Sequence, residues 1–258
     1  MATIGQVRVG RRIHHPHFQE PSYPGFTPIV VMRNTHSYGK LSPYCIRVPV
    51  SGFPDGVIHE NYWQFLKVYP QVPPRIVTLS EKDKTIAWTH EGCIQVDDQG
   101  DVTPEWDDWR IRGFSSENFI RFPNGSDPKD RAACLYAKTL NEDGTVSAER
   151  LDLIPARKKN YVKTYCENVQ HHSLFKQLQL RLLSGENLLI IEVDGPHQES
   201  LDYYKQKYKV GHNFIVNSTI LVTVETMIIM INDPRHSFGH GYALASKLLG
   251  IEDQIINS

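Results

Sequence analysis

Four side chains within His59-Glu-Asn-Tyr-Trp-Gln-Phe-Leu-Lys67 carry groups that could do chemistry together. On a helix, Glu60, Trp63, Gln64 and Lys67 fall at i, i+3, i+4 and i+7 and share one face. That face holds a carboxylate, an indole, an amide and an ammonium. A carboxylate so placed can act as acid, base or stabiliser of a cation, and an indole can stack on a flat ring. Tyr62, Phe65, Leu66 and Tyr69 take the opposite side. The same pattern therefore also describes an amphipathic helix with a Glu–Lys pair on its wet face.

Three further groups stand out. In Ile191-Glu-Val-Asp-Gly-Pro-His197, Glu192 and Asp194 point to one side of a strand, because side chains alternate with a period of two. Glu192 interrupts a buried run and must be paired or functional; a solvated strand end is the competing reading. In Pro155-Ala-Arg-Lys-Lys-Asn-Tyr161, three successive cations near a helix start run against the helix dipole. Arg157 could hold a phosphate by a fork and Lys158 as a point charge, or the run could be a solvated basic face. In His236-Ser-Phe-Gly-His-Gly-Tyr242, residues Gly239, His240 and Gly241 precede a helix, where a phosphate could meet backbone N–H groups. A tight turn that packs the last helix explains the glycines equally well.

The twelve histidines include His14, His15 and His17 in a Pro-rich stretch and the adjacent His171 and His172. None has HExxH or zinc-finger spacing, so no metal and no other cofactor is expected. Cys45, Cys93, Cys134 and Cys166 form no CxxC pair, and reduced thiols are expected. No GxSxG or papain-like signature is present.

The elements that must position these groups follow from turn signals and periodicity. Residues 1–28 are rich in Pro, His and Gly and read as an irregular arm. Pro28–Met32 and Tyr44–Val50 read as strands, and His59–Tyr69 as a helix ended by prolines. Residues 75–150 read as a β-rich insertion cut by Asp97–Asp101, Pro123–Gly125 and Asn141–Gly144. Its strand candidates are Ile76–Leu79, Phe119–Phe122 and Ala133–Thr139. Lys159–Leu183 keeps a helical period with a break near His171–Ser173. Asn187–Val193 is a continuous apolar run, as in a strand buried on both faces. Glu199–Tyr208, Val224–Asn232 and Tyr242–Leu249 read as helices. Interspersed strands and helices predict one α+β domain over 29–258, with the insertion in its middle.

The chain has 258 residues, a net charge of −1 and 40% hydrophobic residues, values that exclude disorder and bulk coating of nucleic acid. That neutrality is a cancellation. Residues 91–108 hold seven acids and no cation, whereas residues 157–182 hold six cations against Glu167. The longest apolar runs, Asn187–Val193 and Met227–Ile231, fall far short of the ~18 residues that span a bilayer. The N-terminal stretch has no apolar signal core, so a soluble, cytoplasmic protein without a membrane partner is expected.

Tyr38-Gly-Lys-Leu-Ser-Pro-Tyr44 followed by Val57-Ile-His-Glu-Asn-Tyr-Trp-Gln-Phe-Leu-Lys67 resembles the NADAR superfamily, the YbiA-like proteins. Ser42 stands at the family's Ser and Tyr44 at its aromatic place, with Pro43 where an Asn is usual. Glu60, Gln64 and Lys67 match the motif helix directly. Phe175–Leu178, Leu182–Glu192 and Gly241–Gly250 resemble later family segments in the same order. The resemblance covers 29–69 and 155–250, and it implies a mainly helical YbiA-like domain.

The resemblance also implies a hydrolase that cleaves an N-glycosidic bond, removing ADP-ribose from a modified nucleobase such as guanine in DNA. It carries the catalytic carboxylate onto Glu60 and a second acid onto Asp194 or, with poorer spacing, Asp202. The family's pocket Trp has no counterpart in 151–165, which leaves Tyr161 or Trp63 as the stacking ring. A pyrophosphate would account for Arg157, Lys158 and the glycine turn. Two alternatives stay open: an N-glycosidase for a small phosphorylated nucleotide or riboflavin-pathway metabolite, and a non-catalytic module that binds ADP-ribose or modified nucleic acid. The expected partner is accordingly an ADP-ribosylated nucleobase or nucleic acid, or a small nucleotide. Oligomeric state is not legible in the sequence.

Overall fold

The computed structural model describes residues 4–13, 20–33, 37–78, 87–120 and 133–258. The class is α+β, as the interspersed pattern predicts. The chain forms two compact units, Met1–Ile46 with Val162–Ser258, and Arg47–Tyr161. The stretch expected as an insertion, 75–150, falls inside the second of these. The second unit begins at Arg47 and includes the motif helix.

The first unit is built on a four-stranded sheet. Its apolar strand Leu188–Glu192 lies between Val7–Arg11 and Thr27–Val30 and runs parallel to both. Thr219–Leu221 pairs antiparallel on the far side of Val7–Arg11. All five residues of Leu188–Glu192 are buried, as its uninterrupted apolar run requires. The helix His240–Leu249 packs on the sheet, and the small residues Ala243 and Ala245 within it are fully buried. The helices Thr164–Val169 and Ser173–Leu183 are separated by a turn, at the predicted interruption.

Among the described residues of 1–28, the reading as an irregular arm fails at Val7–Arg11. Val7–Arg11 is an interior strand of this sheet, and Val7 and Val9 are buried on it. Arg8 masks the pattern. Its guanidinium is buried, donates to the Thr219 hydroxyl at 3.0 Å and lies 3.7 Å from the centroid of the Tyr23 ring. A charge that is stacked and hydrogen-bonded can sit in a strand interior. His14, His15 and His17 lie outside the described residues.

The second unit is a set of short ladders around two helices. The hairpin Arg47–Val50 with Phe53–Ile58 leads into the helix His59–Phe65. Lys67–Val68 pairs with Tyr136–Ala137, Gln71–Val72 with Cys93–Ile94, and Arg75–Thr78 with Ala87–His90. Asn141–Gly144 is the expected turn, with Asn141 N–H bonded to Thr145 C=O at 2.9 Å. The helix Pro104–Phe114 was not foreseen. Thr103 caps it by accepting from the Trp106 N–H at 3.2 Å, Pro104 opens it, and Glu105 and Asp107 sit in its first turn. Of the other strand candidates, Ala133–Thr139 shortens to Tyr136–Ala137, and Phe119–Phe122 runs into residues outside the described set.

The core of this unit joins Tyr62, Phe65, Leu66 and Tyr69, the predicted inner side of the motif helix, to Trp106, Trp109 and Phe114. Gly113 permits the contact between the two helices. A Cβ there would lie 2.2 Å from the Phe65 ring. Asn61 is buried and fully used, donating to the Gly113 and Asn118 carbonyls and accepting from the Ile120 N–H.

Candidate active site

The motif helix ends at Phe65, so Lys67 is not on it; Lys67 already belongs to a two-residue strand. The expected helical face is nevertheless assembled, because Lys67 folds back. Its ammonium donates to Gln64 Oε1 at 2.8 Å and sits 4.5 Å from the centroid of the Trp63 ring. Gln64 Nε2 in turn donates to Glu60 Oε1 at 2.8 Å. Glu60 is 7% exposed, and a carboxylate so enclosed needs the partner it has.

Tyr161 closes one side of this group. Its ring meets Trp63 edge to face at 5.4 Å, and the His59 ring at 5.0 Å. His59 Nε2 bonds the Tyr161 carbonyl at 3.0 Å, which ties the start of the motif helix to that backbone. Trp63 also packs on Ala137, Leu151 and Ala156. Two aromatic rings, a carboxylate and an ammonium therefore share one place in the second unit.

Tyr161 belongs to a π-helix, Arg157–Lys163. Such segments are rare and concentrate at functional sites, because the wider turn re-aims side chains. The three cations of the run are separated by it. Lys159 is exposed and pairs with Glu149 at 2.6 Å. Arg157 is buried, and Lys158 is half-buried, with burial lowering its pKa. The solvated-face reading thus holds for Lys159 and fails for Arg157.

In the first unit, Glu192 is 1% exposed and is paired. Its Oε1 accepts from the Gly241 N–H at 2.8 Å, and its Oε2 lies 2.8 Å from His240 Nδ1. The other nitrogen of His240 bonds the Val31 carbonyl at 3.1 Å. Both nitrogens face acceptors, which is the arrangement of an imidazolium. Burial works against that charge, but Glu192, the Val31 carbonyl and Asp194 together outweigh it, and the His240 pKa is raised.

The expectation that Gly239, His240 and Gly241 cradle a ligand phosphate is corrected accordingly. The anion at this helix start is Glu192 itself, and a Cβ on Gly239 would lie 2.3 Å from its Oε1. Glu192 is likewise a packing carboxylate here rather than a ligand contact. Asp194 lies outside the strand and is exposed. Asp202 is exposed and holds Lys205 at 3.0 Å. Ser42 is buried and its hydroxyl accepts from the Tyr44 N–H at 3.3 Å, so it shapes the turn that carries half-buried Tyr44.

Compared with protein-family models, curated proteins and solved structures, the chain matches none. His59 and its contact with Tyr161 were not foreseen, since nothing in the local sequence pairs the two.

Proposed function

We propose that the chain is an N-glycosidase that removes ADP-ribose from a modified nucleobase, with Glu60 as its catalytic carboxylate. The observation that carries this reading is the Lys67–Gln64–Glu60 hydrogen-bond series beside the Trp63–Tyr161 corner. Breaking an N-glycosidic bond builds positive charge on the sugar ring. A carboxylate close to the anomeric carbon stabilises that charge and activates the water that completes the cleavage. Gln64 fixes the carboxylate, and Lys67 fixes Gln64. Trp63 and Tyr161 offer rings on which a nucleobase stacks. Arg157 and Lys158 precede Tyr161 on the same π-helix and suit a pyrophosphate, the guanidinium by its fork.

The test is incubation of the protein with ADP-ribosylated DNA, ADP-ribosylated RNA and free nucleotides, with mass spectrometry of what is released. Free ADP-ribose and repaired base from a polymer support the reading. Turnover of free nucleotides alone moves the assignment to a small phosphorylated metabolite. Binding of ADP-ribose by calorimetry with no release from any substrate makes the chain a binding module.

A further inference from the structure

The Glu60 reading uses none of a second reactive group, which lies in the first unit. Val7–Arg11 and Leu188–Glu192 run parallel, and ligands of open α/β sheets bind beyond the carboxyl ends of such strands. Arg11 ends one strand. The segment after the other carries His197, Glu199 and Ser200, and His236 reaches the same place from the loop before His240–Leu249. The imidazoles of His197 and His236 stack face to face, with centroids 3.7 Å apart and planes 13° apart. His236 Nε2 lies 2.8 Å from the Ser200 hydroxyl oxygen. His197 Nδ1 bonds Glu199 Oε1 at 2.8 Å, and Arg11 holds the same oxygen at 2.8 Å.

Ser200 opens the helix Leu201–Tyr208, where a serine hydroxyl ordinarily caps the first turn. Here it makes no cap bond and is turned toward His236. Burial holds both imidazoles below the ordinary histidine pKa, so both are neutral near pH 7. In the tautomer with its proton on Nδ1, His236 presents a basic Nε2 to the hydroxyl. The stack on His197, fixed through Glu199 to Arg11, sets the plane of that ring. The helix start favours negative charge developing on the serine oxygen.

We propose that Ser200 is a nucleophile that accepts an acyl group from an activated, uncharged ester, with His236 as general base and His197 as a positioning residue. Ser200 Oγ forms a bond to the carbonyl carbon while its proton passes to His236 Nε2. The ester's alkoxide leaves with that proton, and the acyl group remains on Ser200. Water, deprotonated at the same nitrogen, then releases the carboxylic acid and restores the serine. A neutral donor suits the charges here better than an anionic phosphoryl group does. The guanidiniums that act on the histidine pair, those of Arg11 and Arg235, are already matched to Glu199 and Asp233, each at 2.8 Å.

The test is a fluorophosphonate probe, which an activated serine attacks at phosphorus with loss of fluoride. Full-length protein should give one adduct, mapped to Ser200 by peptide mass spectrometry. Ser200→Ala should give none, and His236→Gln should label about 100-fold more slowly, within the usual range for a lost general base. Removing a ring from the stack disturbs the loop, so the unaltered protein supplies the second readout. Its labelling rate should rise with pH to a plateau, with a midpoint below 6.5, because burial together with His197 and Arg235 outweighs Asp233 and Glu199 in setting the His236 pKa. An unlabelled Ser200, a His236→Gln variant labelled at the wild-type rate, or a flat pH profile overturns the proposal. None of these outcomes bears on Glu60, whose test reads release of ADP-ribose.

Discussion

Gln64 Nε2 donates to Glu60 Oε1 at 2.8 Å, one helical turn away, while Lys67 donates to the other end of the same amide. A cation on the carbonyl side polarises the amide and strengthens its N–H as a donor. The orientation of Glu60 therefore depends on a residue that never needs to touch substrate. Gln64→Leu should lower kcat about ten- to hundredfold, the value of one hydrogen bond to a charged group, with KM little changed. Steady-state kinetics with melting curves on both proteins measures this, and a wild-type kcat in Gln64→Leu would count against the series.

Arg157 is buried on the π-helix that carries Tyr161. If its fork grips a pyrophosphate, Arg157→Lys keeps the charge and loses the paired bonds. KM for an ADP-ribosylated substrate should rise about tenfold, with kcat kept, as expected for loss of about 1.4 kcal/mol of uniform binding. Equal KM values for the two proteins would remove Arg157 from the site.

Glu192 and His240 make a buried ion pair that also holds the Gly241 N–H. Glu192→Ala should cost about 3–5 kcal/mol, since it strands a buried charge and a backbone donor together. The raised pKa of His240 fixes the sign of the pH effect. The pair's contribution is complete below the ordinary histidine value of 6.5 and is lost as pH rises through the higher folded value. Urea midpoints from pH 6 to 9 should fall in the wild type relative to His240→Gln. Parallel curves would show that the pair does not titrate this way.

Gly113→Ala should destabilise by about 1–3 kcal/mol, because the added methyl meets the Phe65 ring in a packed core. Phe65 ends the motif helix, so the same substitution should also weaken turnover by shifting Glu60. Denaturant titration reads the first effect. A stable Gly113→Ala protein would mean that the two helices part more easily than their packing implies.

Much of the first unit was legible. Leu188–Glu192 announces itself because a strand covered on both faces has no polar side to hide. The helices Ser173–Leu183 and Val224–Ile231 show because their buried faces repeat at the helical period. Val7–Arg11 did not show, because its partners lie far along the chain and Arg8 breaks its alternation; the contacts with Tyr23 and Thr219 explain that arginine. Thr103-Pro-Glu-Trp-Asp107 does carry a helix-start signal, but it lies in a stretch whose turn signals read as a β-rich insertion.

The site was legible in composition more than in geometry. Helical spacing brought Glu60, Trp63, Gln64 and Lys67 together on paper. The molecule brings them together by a different route, with Lys67 folding back from a strand. In the sequence Glu192 reads as paired or functional, and its partners His240 and Gly241 decide for pairing. That tertiary contact is what turned an expected phosphate cradle into a structural ion pair.

The most direct measurement is single-turnover release of ADP-ribose from modified DNA by wild type and Glu60→Gln, side by side with their melting curves. Loss of the carboxylate's charge should slow release by at least about a thousandfold, at the scale of a lost electrostatic stabiliser, with the melting temperature nearly unchanged. A folded Glu60→Gln protein that releases ADP-ribose at the wild-type rate would contradict the assignment.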